Sequence, residues 1–384
     1  MSLKTPPLGL YIHIPWCIRK CPYCDFNSHA LVNEIPEQRY IQALLRDLDQ
    51  DLAQVSNRRL DSIFFGGGTP SLFSPDAIHN LIESVRYRIG YSDELEVTLE
   101  ANPGTVEKHK FRAFKEAGVN RLSIGVQSFQ PAHLEVLGRI HSSGEAVRAA
   151  EEAHKAGIAN FNLDLMYGLP GQRRNEASDD VLRAIELEPA HISYYQLTIE
   201  AHTFFSKFPP VLPVADEIWE IQRENQSLLR NHGYLQYEIS AYARPGFQCR
   251  HNLNYWTFGD YLGIGAGAHA KITDTESGAI YRTSKIRDPR RYMETAGTAA
   301  NYGTRIKIPR RDRGLEFLMN ALRLLSGFEK QEFNGRTGLQ QSDLEPALTQ
   351  CLDEKLLEQT ETHIRCTEVG RNFLDSILER FVPA

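Results

Sequence analysis

The sequence predicts an α/β protein: a partial (β/α)6 barrel of TIM type, followed by a mainly helical, winged-helix-like C-terminal domain. Three observations carry that expectation. Strand-length apolar runs alternate with helical stripes six times over the first two hundred residues. Residues able to do chemistry recur at the carboxyl ends of those runs, where βα barrels gather their active sites. Beyond residue 305 the strand signal gives way to amphipathic helices.

Leu8–Ile14 is a short apolar run of strand length. Gln38–Gln54 then sets Ile41, Leu44, Leu45, Leu48 and Leu52 at helical spacing, one buried stripe. Asp61–Phe65 is a buried strand running into Gly66-Gly67-Gly68. Pro75–Tyr87 reads as a helix, with Pro75 at its start, where the missing N–H costs nothing. Glu94–Glu100 alternates Leu95, Val97 and Leu99, the period of a strand. A helix over Val106–Glu116 stops at Gly118, and Arg121–Val126 is the next strand. A helix over Gly144–Ala156 stops at Gly157, and Asn160–Met166 alternates Phe161, Leu163 and Leu165. A helix over Ser178–Leu187 and a strand over His191–Leu197 complete the sixth unit.

Repeated β-α order means a parallel sheet with right-handed crossovers. Six units fall short of an eightfold barrel, and a doubly wound sheet shares the pattern. The polar residues favour the barrel. Three cysteines follow the first strand and the glycine run follows the second. Glu100 ends the third, Gln127 follows the fourth and Asp164 lies late in the fifth.

From His202 to Thr304 the pattern loses regularity, with one helix expected over Val214–Asn231. Arg305–Arg313, basic and containing Pro309, reads as a linker. Gly314–Leu325 is a helix with Leu315, Leu318, Leu322 and Leu325 on one face. Two short helices, a strand near His363–Cys366 and a last helix over Arg371–Phe381 follow. The expected regions are therefore a barrel at 1–205, a barrel extension at 206–304 and a helical domain at 305–384.

Composition narrows the function classes. The 384 residues are enough for two or three domains and a large core. Lys plus Arg number 43 and Asp plus Glu 49, a net charge of −6, so nucleic acid is not expected as an obligatory partner. No apolar run approaches the ~18 residues a membrane-spanning helix needs. Met1–Leu10 has two prolines, one basic residue and no apolar stretch, so no secretory leader is expected and the cytoplasm is the expected location.

Six cysteines are too few for a disulfide scaffold. Cys249, Cys351 and Cys366 are scattered and read as buried small hydrophobes. Cys17, Cys21 and Cys24 form C-x3-C-x2-C on a loop after the first strand. With His13 or His29 they could complete a four-ligand zinc site. Three thiols alone suit a 4Fe–4S cluster in which one iron keeps an open position. The glycines of Gly66-Gly67-Gly68-Thr69-Pro70 allow close backbone approach and free N–H groups for a carboxylate, although a plain tight turn has the same composition.

Thiol spacing, barrel position and glycine run together resemble the radical S-adenosylmethionine superfamily. That resemblance implies a cluster whose fourth iron is chelated by the methionine end of S-adenosylmethionine, with Tyr23 near the adenine. Tyr11-Ile-His-Ile-Pro-Trp-Cys17, the GGGTP run, Leu-Glu100-Ala-Asn-Pro, Gly125-Val-Gln127-Ser-Phe and Asp164-Leu-Met-Tyr-Gly-Leu-Pro-Gly are similar to the oxygen-independent coproporphyrinogen III oxidase family over most of the chain. By that similarity Tyr11, Gly67, Gly68, Thr69, Glu100, Gln127, Arg139 and Asp164 would contact S-adenosylmethionine. Carboxylates at Glu100 and Asp164 suit ribose hydroxyls, and Arg139 suits a carboxylate.

Two departures point within that family to its haem chaperones of HemW type. The decarboxylases carry a further cysteine two places after the third, where this chain has Phe26. They also have a longer segment before the first strand. In addition, His251-Asn252-Leu-Asn-Tyr255-Trp256 resembles the HNxxYW motif linked in that subgroup to haem: an imidazole for the iron and two aromatic faces. The expected function is a haem chaperone carrying a 4Fe–4S cluster and S-adenosylmethionine, with a haem-acceptor protein and an electron donor as partners. Peripheral membrane contact and self-association stay open. The alternative is the oxidase itself, decarboxylating coproporphyrinogen III to protoporphyrinogen IX.

Overall fold

The computed structural model describes residues 2–32, 34–104 and 110–383. Its strands, in chain order, are β1 (Leu8–Ile14), β2 (Leu60–Gly67), β3 (Tyr91–Ala101), β4 (Arg121–Gln127), β5 (Phe161–Tyr167) and β6 (His191–Gln196). There follow β7 (Leu235–Glu238), β8 (Ala241–Ala243), β9 (Asp260–Ile264), β10 (His269–Asp274), β11 (Ala279–Lys285) and β12 (Tyr302–Lys307). All belong to one sheet of order β12-β11-β10-β9-β1-β2-β3-β4-β5-β6-β8-β7.

β1 to β6 pair in parallel in chain order, as six βα units predict. β9 returns to the free edge of β1 and pairs in parallel, Leu8 opposite Asp260, so the parallel set has a seventh member. Both faces of these strands are covered, which is why β1 reads as a continuous apolar run with only Tyr11 short of full burial. Beyond β9 and beyond β6 the pairing turns antiparallel.

Two expectations need correction. The irregular stretch before Thr304 contains β7 to β11, short strands whose pairing is set by the sheet rather than by their own alternation. Nor is Arg305–Arg313 a linker. Arg305 to Lys307 finish β12, an edge strand exposed from Gly303 onward, and Arg313 already begins a helix. An edge strand with no buried face shows no period of two, and its charges guard it against unwanted pairing.

Helices α1 (Glu37–Asp51), α2 (Pro75–Ile89), α3 (Phe111–Glu116), α4 (Ser143–Lys155) and α5 (Arg174–Glu186) connect the first six strands. The expected helix Val106–Glu116 covers α3; residues 106–109 lie outside the described ones. α2 starts where the Ser74 hydroxyl accepts the Ala77 N–H, with Pro75 next, and α4 starts with a Ser142–Glu145 capping box. Further along come α6 (Ala215–Asn231), α7 (Arg250–Trp256), α8 (Pro289–Thr295) and α9 (Arg313–Ala321).

The C-terminal region adds helices Lys330–Thr337 and Ala347–Asp353 and a three-stranded antiparallel sheet of Phe328–Glu329, His363–Cys366 and Leu357–Gln359. It has its own core, where the Phe317 ring meets Phe328 and Phe333 at 5.0 and 5.2 Å. Phe258 and Ile280 from the extension enter that core, so the C-terminal region is packed onto the sheet. Among the described residues no helix is long and apolar enough to cross a membrane.

Candidate functional site

The thiol loop leaves β1 through Pro15 and is closed at its base. Trp16 and Cys17 pair in parallel with His29 and Ala30, and the Gly68 and Thr69 N–H groups bond the Ile14 and Trp16 carbonyls at 2.8 and 2.7 Å. That close approach explains the glycines: a Cβ on Gly68 would lie 2.4 Å from the Trp16 carbonyl oxygen, and Gly67 has φ +117° against the His13 ring. The far side of the loop is fastened by Asn27, whose amide donates to the Ala266 and Arg287 carbonyls at 2.8 Å each. Burial lowers His13 to about 4, so the ring is neutral. It therefore donates from Nε2 to the Asn27 carbonyl and accepts from the Tyr11 hydroxyl on Nδ1, both at 2.9 Å.

Two chambers open at the carboxyl ends of the strands. The smaller, about 520 Å³, has Cys17, Cys21 and Cys24 on one side. Gly67, Gly68, Thr69, Glu100, Gln127, Arg139 and Asp164 line the other, and Tyr23, packed beside Phe205, lines it too. The larger, about 760 Å³, is lined by Tyr11, Phe64, Asn252, Tyr255, Trp256 and Tyr261, with Arg121, Arg282 and Arg287 among its cations. Gly67, Glu100, Ser123 and Asp164 border both, and Phe26 stands 57% exposed at their common rim.

Nearly every residue expected near S-adenosylmethionine thus meets the thiols in one cavity; Tyr11 does not, and faces the larger chamber. Gln127 sits at a bulge with φ +69°, an uncommon backbone state for a side-chain-bearing residue, and accepts the Tyr195 hydroxyl at 2.8 Å. Arg139 donates to Asn102 Oδ1 at 2.5 Å and the Gly125 carbonyl at 2.7 Å, and its Nη1 lies 3.7 Å from Cys21 Sγ. Asn102 in turn donates to the Thr69 hydroxyl at 2.8 Å. Asn102 and Tyr195 escaped the sequence reading. Strand alternation from Glu100 would have found the first, and the carboxyl end of β6 the second.

Three thiols around one cavity suit a polynuclear cluster, each thiolate binding a different iron. Among the described residues no three His, Cys, Asp or Glu side chains converge on a single-ion position. Burial pushes the Cys17 and Cys24 thiols upward, so metal charge is what would hold them as thiolates. Glu100 is buried beside Asp164. Desolvation first, and then that neighbouring charge, push it to about 8, against one stabilising N–H from Gly67 at 3.1 Å. Asp164 is raised by burial too, and accepts from Asn162 at 2.8 Å and Ser123 at 3.1 Å.

The haem motif divides. Asn252, Tyr255 and Trp256 face the larger chamber, but His251 lies beneath it, 1% exposed. Its Nδ1 pairs with Ser62 Oγ and its Nε2 with Tyr255 Oη, both at 2.8 Å, and its ring stacks on Phe64 at 5.0 Å. Burial and the Arg121 charge hold it near 3. Both ring nitrogens are committed, so here His251 orients Tyr255 and offers the chamber no ligand atom.

Residues 11–184 match the sequence pattern of the radical SAM superfamily, and residues 308–373 that of the HemN C-terminal domain. The chain is 50% identical over 380 residues to the heme chaperone HemW of Escherichia coli K12, covering 99% of each protein. It is 33% identical over 379 residues to the heme chaperone HemW of Bacillus subtilis 168, covering 97% of this chain and 98% of that one. To the mouse radical S-adenosyl methionine domain-containing protein 1, mitochondrial, it is 34% identical over 410 residues, covering 100% of this chain and 90% of that protein. In fold it is similar to the E. coli coproporphyrinogen III oxidase HemN, with a TM-score of 0.82 at 22% identity over 98% of this chain and 90% of that one. Matched end to end at up to half its residues, the chain belongs to the heme chaperone HemW family of the radical SAM superfamily.

Proposed function

We propose that the chain is a haem chaperone: it holds haem in the larger chamber and passes it to an acceptor protein. A 4Fe–4S cluster on Cys17, Cys21 and Cys24 and a molecule of S-adenosylmethionine would occupy the adjoining thiol chamber. The observation that carries this reading is a second chamber, aromatic and cationic, set against the thiol chamber and sharing its wall. Tyr255, Trp256 and Tyr261 offer flat apolar surface for a macrocycle, and Arg287, exposed at the rim, offers charge for an acid side chain. Full-length identity to proteins named heme chaperone supports the same assignment.

When bound, the cluster and S-adenosylmethionine supply one-electron chemistry. The rest falls to the chain. Three thiols leave one coordination position open, Arg139 brings a cation beside Cys21, and Glu100 and Asp164 accept hydroxyl protons of a sugar. Phe26 stands at the rim where the related decarboxylases have cysteine, so no fourth thiol reaches the porphyrin side of the loop.

The test is anaerobic haem titration of cluster-loaded protein, then transfer to an apo-haemoprotein. Stoichiometric binding and transfer are expected. Protoporphyrinogen accumulating over many turnovers from coproporphyrinogen III, S-adenosylmethionine and reductant would instead make the protein the oxidase.

A pH dependence follows from Glu100. Its folded value, about 8, lies above its ordinary 4.5, so the free protein near neutrality holds it protonated. A sugar ligand whose hydroxyls donate selects the carboxylate, so binding expels a proton. Affinity for S-adenosylmethionine is expected to rise from pH ~6.5 by up to about tenfold per unit, levelling above about 8. Equilibrium dialysis across that range checks it, with Glu100→Gln flattening the profile. A flat profile in the unaltered protein removes Glu100 from the ligand.

A further inference from the structure

Arg121 opens β4 at the floor of the larger chamber and is 2% exposed. Among the described residues it donates no hydrogen bond and joins no ion pair within salt-bridge distance, and its Nε is buried without an acceptor. Burial disfavours its charged form, whereas Cys249, Glu96 and Asp164 lie close enough to favour it without receiving its N–H groups. The acids around it are already engaged. Glu96 accepts from Cys249 Sγ and from the Arg250 and His251 N–H groups, at 3.5, 3.1 and 3.0 Å, and so caps α7. Asp164 is held by Ser123 and Asn162. The nearby His191 bonds Asn162 at 2.7 Å and Tyr237 at 2.8 Å, and burial together with the Arg121 charge keeps it neutral. A guanidinium cannot shed its proton at physiological pH, and a buried N–H without an acceptor is costly. Arg121 therefore lines the chamber as a permanent cation whose hydrogen-bonding capacity the chain leaves unused.

We infer that Arg121 is the carboxylate anchor of the larger chamber, receiving an acid group of the bound ligand through a fork of paired N–H donors. The inference rests on the haem reading and deepens it: the acid group would be a haem propionate, placing that edge of the macrocycle toward the floor. Arg121 borders only the larger chamber, so the anchor belongs to the haem side and not to S-adenosylmethionine.

The experiment compares haem with haem whose propionates are methyl-esterified, titrated by absorbance into the full-length, cluster-loaded protein. The unaltered protein is expected to bind haem about ten- to a hundredfold more tightly than the diester. Arg121→Met should lower haem affinity most of the way toward that of the diester, the rim cation Arg287 keeping the rest, and leave the diester unchanged, while Arg121→Lys keeps more of the preference. Without haem, Arg121→Met should melt within a few degrees of the unaltered protein, because no hydrogen bond of the chain is lost and the desolvation cost that is relieved offsets the attraction to Glu96 and Asp164. Equal affinity for the two porphyrins in the unaltered protein overturns the anchor. So does a haem preference that Arg121→Met leaves undiminished, or a collapse of that variant's melting temperature, which would make Arg121 part of the fold. Binding of neither porphyrin by the unaltered protein overturns the haem reading instead.

Discussion

Cys21→Ser is expected to reduce bound iron and acid-labile sulfide from a full cluster to near zero while leaving the fold intact. A serine hydroxyl is a hard, weakly acidic ligand, whereas iron–sulfur clusters are held by soft thiolates. With one of three anchors gone, two adjacent irons lack protein ligands and the cluster becomes open to solvent. Arg139 Nη1 lies 3.7 Å from Cys21 Sγ, a contact that goes with the sulfur. Stability should change little, because Cys21 is half-buried and outside the apolar core. Cys249→Ser is the contrasting variant. That thiol is fully buried, donates to Glu96 and is pushed to about 12, so iron content should stay unchanged. Colorimetric iron and sulfide assays after anaerobic reconstitution decide it, and a full cluster in Cys21→Ser would reject the ligand assignment.

Lys285→Met is expected to cost about 3–5 kcal/mol of folding stability, the range for stripping the partner from a buried charge. Lys285 is almost fully buried, with Nζ 2.7 Å from Asp47 and 2.8 Å from Asp51, and the same ammonium lies 4.2 Å from the centre of the Tyr302 ring. Burial already pushes the Asp47 carboxyl upward, with Lys285 as its chief counterweight. Asp47 also accepts from Tyr292 at 2.7 Å and Asn301 at 2.8 Å, so one lysine neutralises a cluster joining α1, β11 and the region around α8. Urea denaturation measures the loss. Adding Asp47→Asn and Asp51→Asn should recover much of it, and a loss below about 1 kcal/mol in the single variant would show that the cluster is solvated.

The same residues mark what the sequence could convey. β1 to β6 were legible because each is an apolar or alternating run of strand length, and a helix follows each of the first five. The thiol chamber was legible because barrel connectivity delivers successive strand ends to one mouth, so Cys17, Gly67, Glu100, Gln127 and Asp164 could be placed together before any coordinates. β7 to β12 were not, since strands of three to seven residues on the flanks take their conformation from neighbours distant in sequence. His251 shows a different limit. Its place in a family motif suggested a ligand, while its Nε2 is taken by Tyr255 one helical turn on and its Nδ1 by the Ser62 hydroxyl of β2, which only the fold brings near. Arg121 shows the converse: in sequence it is merely the first residue of a strand, and only the fold reveals that it lines the larger chamber with its Nε buried and without an acceptor.

Gly67, Glu100, Ser123 and Asp164 border both chambers, and that partition carries a thermodynamic obligation. A change in the charge of Glu100 alters the field on both sides of that wall. Whatever factor S-adenosylmethionine imposes on haem affinity, haem must impose on S-adenosylmethionine, because the coupling free energy belongs to the doubly occupied state and not to either ligand. A chaperone built this way releases its cargo more readily when the neighbouring cofactor is spent or exchanged only to the extent that the cargo, in return, steers the cofactor's exchange.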